Sequence, residues 1–280
     1  MDKPFENGCG HRQKVTKIFA LLFIFAIIFG NFIVFSQKSV AKASGKSAYA
    51  VINLNSGEIV KSENGSARLP IASTTKILSA ITVIENVFDL DEEIIVPSSA
   101  VGIEGSSVYL TLGERISFRD LLYGLMLRSG NDCAVALAIK TAGSVEKFVE
   151  KMNDTAKRAG AINSSFANPH GLDDEGHFST ADDLAKITAY AMKNPVFREI
   201  VGTKYHTTTG EISRCFKNKN KMLWNFDGAI GVKTGFTKKS GRCLVSAGER
   251  GEKAYAVVVL NVYDTWTVSE NLLNEAFSAQ

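Results

Sequence analysis

A serine and a lysine three residues apart, Ser73 and Lys76, are the side chains of this sequence best placed to do chemistry together. In a helix this spacing puts both on one face, about one turn apart. A serine hydroxyl is a weak nucleophile until a neighbouring base removes its proton. A lysine can be that base only when burial or a nearby cation lowers its pKa. The pair therefore indicates nucleophilic attack on a carbonyl carbon.

The helix that must position this pair has Ile77, Ile81 and Ile84 at helical spacing, which predicts a buried stripe. The positive end of its dipole would stabilise negative charge on an attacked carbonyl. The pattern Ser-x-x-Lys also occurs at 39–42, in the leader, and at 144–147, where the serine is typical of a helix cap. The pair therefore needs support from further motifs.

Two more short motifs supply that support. Ser129-Gly130-Asn131 lies between two predicted helices, and Lys233-Thr234-Gly235 lies at the end of a predicted strand. Alone, the first would be a helix end with a turn and the second a strand end with a surface lysine. Similar triplets at 62–64, 269–271 and 239–241 lack the order, spacing and setting of this pair.

The three motifs in this order resemble those of penicillin-recognising serine enzymes. Over about residues 49–262 the chain resembles the low-molecular-mass D-alanyl-D-alanine carboxypeptidases of bacterial cell walls, family S11. The stretches that carry the resemblance are IASTTKI, YLTLGE, LLYGLML with SGND, NPHGLDDEGHFST and GVKTGFT. The resemblance implies an α+β fold, with an antiparallel sheet flanked by helices and a mostly helical lobe.

The resemblance also implies catalytic roles. Ser73 would attack the carbonyl of the penultimate D-Ala, and Lys76 would take its proton. Ser129 would relay a proton to the leaving amine. The backbone N–H groups of Ser73 and Phe236 would form the oxyanion hole.

Other motif residues would bind the substrate. The Asn131 amide would hold its backbone, while Lys233 and Thr234 would bind its terminal carboxylate. Gly235 would let the strand approach closely. Lys219 occupies a position where relatives often have arginine, and it is a further candidate for the carboxylate.

Two histidines, His170 and His177, flank Asp173 and Asp174 and raise the alternative of a metal site. Six residues separate the histidines, which is no standard zinc spacing. We therefore expect a loop that supports the site, with His170 in a supporting position. Neither a metal nor another cofactor is expected.

The predicted elements agree with an α+β fold, because strands lie at both ends of the exported part and helices lie between them. Strands are predicted at 49–54, 58–61, 94–96, 204–209, 230–234, 244–247 and 254–262. Helices are predicted from Ser73 onward, from 117 to 128, and at 132–141, 144–158, 181–192 and 267–279, with N-caps at Ser117, Ser144 and Thr180. The apolar run 254–262 predicts a central strand. A cleft is expected where the sheet meets the helical lobe.

The N-terminal segment predicts export. Basic residues precede an uncharged apolar run at 18–35, and Ala41-Lys42-Ala43 is a small-x-small site. This is typical of a signal peptide cleaved after Ala43, and the run is also nearly long enough for a retained membrane anchor. We expect residues 1–43 to be one of these and 44–280 to be the catalytic domain, without a C-terminal β-rich domain. The protein would then be secreted, or anchored at the outer face of the cytoplasmic membrane.

Charge and cysteine content limit the function classes. The formal net charge is +3, but residues 1–43 carry the excess, and the remainder is about −1, so nothing favours nucleic acid. Cys9 would leave with the leader. Cys133 is predicted to be a small buried apolar residue. A bond between Cys215 and Cys243 stays open at this point.

Three alternatives to a D,D-carboxypeptidase remain: a serine β-lactamase of the same fold, an idle wall-binding protein and a zinc peptidase. Class A β-lactamases carry Glu-x-x-Leu-Asn between the second and third motifs, whereas the match here, 270–274, follows the third motif. Gly130 stands where those enzymes have aspartate. The expected partners are stem peptides ending in D-Ala-D-Ala and, as covalent inhibitors, β-lactams. The balance between carboxypeptidase, endopeptidase and transpeptidase activity stays open.

Overall fold

The structure, a computed structural model, describes residues 46–279. The predictions for the leader, including Cys9 and the cleavage site after Ala43, lie outside these residues. Within the described part, no helix combines the length and apolar character needed to cross a membrane.

Nine strands occur in residues 46–279: β1 (Ala48–Asn53), β2 (Ile59–Glu63), β3 (Glu93–Ile95), β4 (Arg115–Ser117), β5 (Tyr205–Thr207), β6 (Cys215–Lys217), β7 (Ala229–Thr237), β8 (Gly241–Arg250) and β9 (Lys253–Leu260). Five of them form an antiparallel sheet in the order β2-β1-β9-β8-β7. The sheet therefore combines both ends of the described chain, as predicted, and β7 is left as an edge strand.

The helices of the described residues are α1 (Lys76–Asn86), α2 (Phe118–Tyr123), α3 (Asn131–Ala142), α4 (Val145–Arg158), α5 (Ala181–Met192), α6 (Pro195–Gly202), α7 (Met222–Asn225) and α8 (Thr265–Ser278). On one side of the sheet α5 packs across β1 and β9, and α1 packs against α3, α4 and α5. On the other side α8 packs on β8 and β9. The fold class is the predicted one.

Strand β9 is central because it is buried on both faces. Ala256 and Val258 belong to the core on the α5 side, while Val257 and Val259 belong to the core under α8. Alternate residues of a strand point to opposite faces, so a strand covered on both must be apolar throughout. The unbroken apolar run in the sequence has this cause.

The predicted N-caps are confirmed. The side chains of Ser117, Ser144 and Thr180 accept hydrogen bonds from backbone N–H groups three residues on. Ser144 thus explains the Ser-x-x-Lys at 144–147 as a cap. Helices α6 and α7 and strands β4 and β6 were not predicted from the sequence. For α6 a signal was present, because Asn194 caps it and Pro195 stands at its first position.

Two further details, in the elements that carry the first and second motifs, differ from the expectation. Ser73 does not lie in the α-helix but in a 3₁₀ turn, Ala72–Thr75, that leads into α1 at Lys76. The helix predicted to end at Arg128 finishes as a π-helical turn, Gly124–Arg128. The three cysteines of the described residues are free thiols, so Cys215 and Cys243 are not bonded.

Candidate active site

The turn Ala72–Thr75, which carries Ser73, lies at the end of the connection from the sheet to α1. Ala72, the residue before Ser73, has φ +49°, a left-handed conformation that costs about 1–2 kcal/mol in a non-glycine residue. Such strain persists where the surroundings determine the backbone, and it clusters at functional sites. Here it presents the Ser73 side chain at the start of a helix that is buried from Lys76 to Val83.

Lys76 is fully buried, with 0% of its surface exposed. Its Nζ lies 2.9 Å from Ser73 Oγ, 2.7 Å from Asn131 Oδ1 and 2.5 Å from the His170 carbonyl oxygen. Burial, and then the nearby charge of Lys233, hold the pKa of Lys76 well below its ordinary value. A lysine in this setting can take a proton from a hydroxyl near neutral pH.

The three contacts also orient the amine. A neutral lysine amine has two N–H groups and one lone pair. If the N–H groups are donated to the carbonyl oxygens of Asn131 and His170, the lone pair faces the Ser73 hydroxyl. The geometry therefore suits the base that the sequence predicts.

Asn131 is held in place from three sides. Its Oδ1 accepts from Lys76, its Nδ2 donates to the Glu104 carbonyl at 2.6 Å, and its backbone N–H donates to the Ser106 carbonyl at 2.7 Å. The amide orientation is fixed by these partners. Asn131 therefore contacts the Lys76 amine directly, which was not predicted from the sequence.

A loop at 168–177 packs against one face of α1 and against the turn Ala72–Thr75. Ser79 Oγ donates to the Pro169 carbonyl at 2.7 Å, and Lys76 Nζ donates to the His170 carbonyl. Gly171 has φ +87°, and a Cβ at this position would lie 2.0 Å from the Ala72 carbonyl oxygen. Only glycine fits this close approach.

His177 joins this loop to the same turn as a neutral donor. Its Nε2 lies 2.7 Å from Thr75 Oγ1, whose own hydroxyl donates to the Ala72 carbonyl, so the histidine must donate. Its Nδ1 accepts from the Ala167 N–H. These contacts assign the Nε2–H tautomer. Burial lowers the pKa of His177 to about 4, which agrees with a neutral ring.

His170 supports the site through its backbone. Its Nδ1 accepts from the Leu172 N–H at 3.2 Å, while its carbonyl oxygen receives the Lys76 amine. Burial, followed by the Lys76 charge, lowers the pKa of the imidazole to about 4. A main-chain carbonyl has no signature in the sequence, so this contact could be found only in the folded chain.

Edge strand β7 runs along the turn Ala72–Thr75, which carries Ser73. A Cβ on Gly235 would lie 3.1 Å from both the Ile71 carbonyl oxygen and the Thr74 nitrogen, and 3.2 Å from the Ser73 nitrogen. At Gly235 the strand therefore lies close to the backbone of this turn. Lys233 is buried, its Nζ donates to the Thr234 carbonyl at 2.8 Å, and burial lowers its pKa to about 7.

Ser129 closes the π-helical turn at φ +66° and is buried next to Asn131. Its hydroxyl is not among the three partners of Lys76 Nζ. Phe236 is 65% exposed, and Lys219 Nζ lies 3.3 Å from Ser106 Oγ. The structure thus brings the motifs together, while proton relay by Ser129 and the oxyanion hole at Phe236 stay predictions.

The segment that holds Asn131 has its own supports, which were not predicted from the sequence. The buried Asp132 carboxylate accepts from Ser107 Oγ, Val108 N and Leu110 N. Arg214 pairs with Glu114 and also donates to the Val108 carbonyl. The only sign of these supports in the sequence was the aspartate that directly follows the Ser-x-Asn motif.

Comparisons with known proteins agree with this geometry. A family model described as D-alanyl-D-alanine carboxypeptidase, peptidase S11, matches residues 35–264. D-alanyl-D-alanine carboxypeptidase DacF of Bacillus subtilis (strain 168) is 32% identical over 240 residues, which are 80% of this chain. The alignment covers 62% of the DacF sequence, so this chain spans less than two thirds of that relative's length.

Two further comparisons cover more of the other protein. The D-alanyl-D-alanine carboxypeptidase of Streptomyces sp. (strain K15) is 36% identical over 243 residues, 80% of this chain and 82% of the relative. The crystal structure of the Streptomyces K15 DD-transpeptidase superposes with a TM-score of 0.76 at 34% identity. That superposition covers 82% of this chain and 96% of the other.

Proposed function

The chain belongs to the S11 family of serine D-alanyl-D-alanine carboxypeptidases, and from this premise we propose that it removes the terminal D-Ala from peptidoglycan stem peptides. The observation that carries the proposal is the fully buried Lys76 amine, 2.9 Å from the Ser73 hydroxyl and oriented by two carbonyl oxygens. This is the arrangement that a serine acyl transfer requires.

The proposed reaction has two halves. Ser73 Oγ attacks the carbonyl carbon of the penultimate D-Ala, and its proton passes to Lys76 Nζ. The C–N bond breaks, and the leaving amine takes up a proton that Ser129 relays. Water then hydrolyses the ester on Ser73 and restores the free enzyme.

Substrate binding is assigned by the same proposal. Asn131 contacts the substrate backbone, while Thr234 and Lys233 bind its carboxylate. The N–H groups of Ser73 and Phe236 stabilise the oxyanion. The closeness of Gly235 to the Ser73 nitrogen supports this part, because it brings the two N–H groups to neighbouring backbones.

The proposal includes a location and partners. Stem peptides of the cell wall lie outside the cytoplasm, and the basic and apolar pattern of residues 1–43 supports export or anchoring. β-Lactams would acylate Ser73, because their strained amide mimics the scissile bond. Residues 44–280 would form the catalytic domain.

The first test of this function is covalent labelling with penicillin. Ser73→Ala should abolish the adduct and lower turnover by at least about 10³-fold. Ser144→Ala is the matched control, because Ser144 has the same Ser-x-x-Lys spacing but caps α4. A tryptic adduct on Ser129 or Ser144 would contradict the assignment of the nucleophile.

A second test separates a peptidase from a β-lactamase. Glu270, the first residue of the Glu-x-x-Leu-Asn match at 270–274, lies in α8. It is exposed, whereas Leu272 and Leu273 are buried, as in an amphipathic helix. We expect slow loss of a bound cephalosporin and release of D-Ala from diacetyl-Lys-D-Ala-D-Ala. Fast turnover of a chromogenic cephalosporin without D-Ala release would favour the β-lactamase.

A further inference from the structure

A cavity of about 250 Å³ opens beside β7 and β8, next to the third motif. The residues that line it are Thr234, Gly235, Phe236, Arg242, Cys243, Thr265 and Trp266. The proposed mechanism uses the first three and leaves Arg242 without a role. Its place beside the carboxylate-binding threonine makes it the most informative residue of this cavity.

The strand register fixes which side chains share the face of this cavity. Thr234 pairs with Leu244, and Phe236 pairs with Arg242. Paired residues lie on the same face, and a diagonal neighbour is within reach of a long side chain. Leu244 belongs to the core under α8, so this is the α8 face. Arg242 is the diagonal neighbour of Thr234 on that face.

Arg242 carries a charge that has no acidic partner among the described residues. None of the ion pairs formed within residues 46–279 involves Arg242. Its guanidinium lies over the Tyr263 ring, 5.2 Å from the centroid. Asp264, which follows Tyr263 in the sequence, has its carboxylate engaged elsewhere, because it caps α8 by accepting from the Thr267 N–H. An arginine stays charged at neutral pH and presents a fork of donors that matches a carboxylate.

Lys233 is less suited to hold a carboxylate alone. It is 1% exposed, and its Nζ donates to the Thr234 carbonyl. Burial lowers its pKa to about 7, so near neutral pH Lys233 is not the permanent cation that an exposed lysine is. A substrate carboxylate at Thr234 would therefore be bound more tightly with a second side chain nearby that is always positively charged.

We propose that Arg242 is a specificity-determining residue that binds, together with the Thr234 hydroxyl, the carboxylate at the leaving end of the substrate. The inference rests on the proposed D,D-peptidase function. The leaving residue then occupies the mouth of the cavity, with its carboxylate towards Arg242. Stacking on Tyr263 restricts the guanidinium beforehand and so reduces the entropy lost on binding.

The test compares two substrates that differ in this carboxylate. Diacetyl-Lys-D-Ala-D-Ala has it, whereas the ethyl thioester of diacetyl-Lys-D-Ala releases a neutral thiol. For Arg242→Gln we expect kcat/KM on the tripeptide to fall at least about tenfold, mainly through KM. On the thioester we expect a change below about twofold, and Arg242→Lys should recover part of the tripeptide activity.

Arg68→Gln is the matched control, since Arg68 is also exposed and lies over an aromatic ring, Phe178, at 5.0 Å. It should leave both substrates unaffected, and an unchanged Tm of Arg242→Gln would show that its fold is intact. Equal losses on both substrates would overturn the proposal, as would full tripeptide activity in Arg242→Gln together with a selective loss in Lys219→Gln. A wild-type chain that neither binds penicillin nor turns over either substrate would instead overturn the proposed function, and the role of Arg242 with it.

Discussion

Gly171 lies against the Ala72 carbonyl, so closely that a single added methyl group would stand 2.0 Å from the oxygen. The contact joins the loop that accepts the Lys76 amine to the turn that carries Ser73. Both backbones are left-handed at this point, with φ +87° at Gly171 and +49° at Ala72. The spacing between the Ser73 hydroxyl and the Lys76 amine therefore depends on a contact between two main chains.

We expect Gly171→Ala to destabilise the protein and to slow acylation. The matched control is Gly57→Ala, since Gly57 has φ +78° but no atom within 4 Å of the added Cβ. The control should lose about 1–2 kcal/mol from backbone strain, and Gly171→Ala should lose about 1–3 kcal/mol more from overlap. Urea denaturation measures both losses. Equal losses would show that the loop at 168–177 can move to accommodate the added methyl group without further cost in stability.

Asn131→Asp should shift the pH dependence of acylation upward. The new carboxylate would stand where Oδ1 now lies, 2.7 Å from Lys76 Nζ, and a neighbouring anion raises the pKa of an amine. Less neutral base would then be present near pH 7, and the rate there should fall at least about tenfold. The lost N–H donation to Glu104 adds to the effect.

The measurement is the penicillin acylation rate against pH. The rate should rise with pH as the base loses its proton, in wild type with a midpoint well below the ordinary lysine pKa. Asn86→Asp, the same change at the far end of α1, should leave the profile in place. An Asn131→Asp profile with an unshifted midpoint would show that Asn131 does not influence the pKa of Lys76.

Lys233 should make folding stability depend on pH. Its pKa is about 7 in the native state, whereas in the unfolded chain it returns to about 10.4. Between these values the unfolded chain holds a proton that the native chain lacks, so the stability contribution rises with pH. Below about pH 7 both states hold the proton, and the dependence disappears.

We therefore expect the free energy of unfolding of wild type, relative to Lys233→Met, to increase between about pH 7 and pH 9. The slope should be at most about 1.4 kcal/mol per pH unit. Lys239→Met is the control, because Lys239 is exposed. A difference independent of pH would show that Lys233 stays charged in the native protein.

The described cysteines should differ in reactivity. Cys215 is exposed, whereas Cys133 and Cys243 are buried, and burial raises the pKa of the Cys243 thiol to about 11. At about pH 8 a thiol reagent should modify Cys215 alone, and the other two only after unfolding, because the thiolate is the reactive form. Peptide mapping identifies the sites, and protection of Cys215 before reduction would indicate a disulfide.

Local features of this protein were predictable because they depend on residues close together in the sequence. The caps at Ser117, Ser144 and Thr180 each need one side chain and an N–H group three residues away. Strand β9 was predicted as central since its composition alone requires burial on both faces. The motifs of the site were recognised by their order, although each has decoys in the chain.

Only the tertiary structure decided which groups hold the Lys76 amine. The His170 carbonyl meets Lys76 across 94 residues of sequence, and every residue has a carbonyl, so no residue type marks this one. The Asp132 carboxylate and Arg214 hold the segment beside Asn131 through backbone groups for the same reason. Sequence thus determined which side chains could react, whereas the packing of backbone against backbone placed the amine beside the hydroxyl and removed it from water.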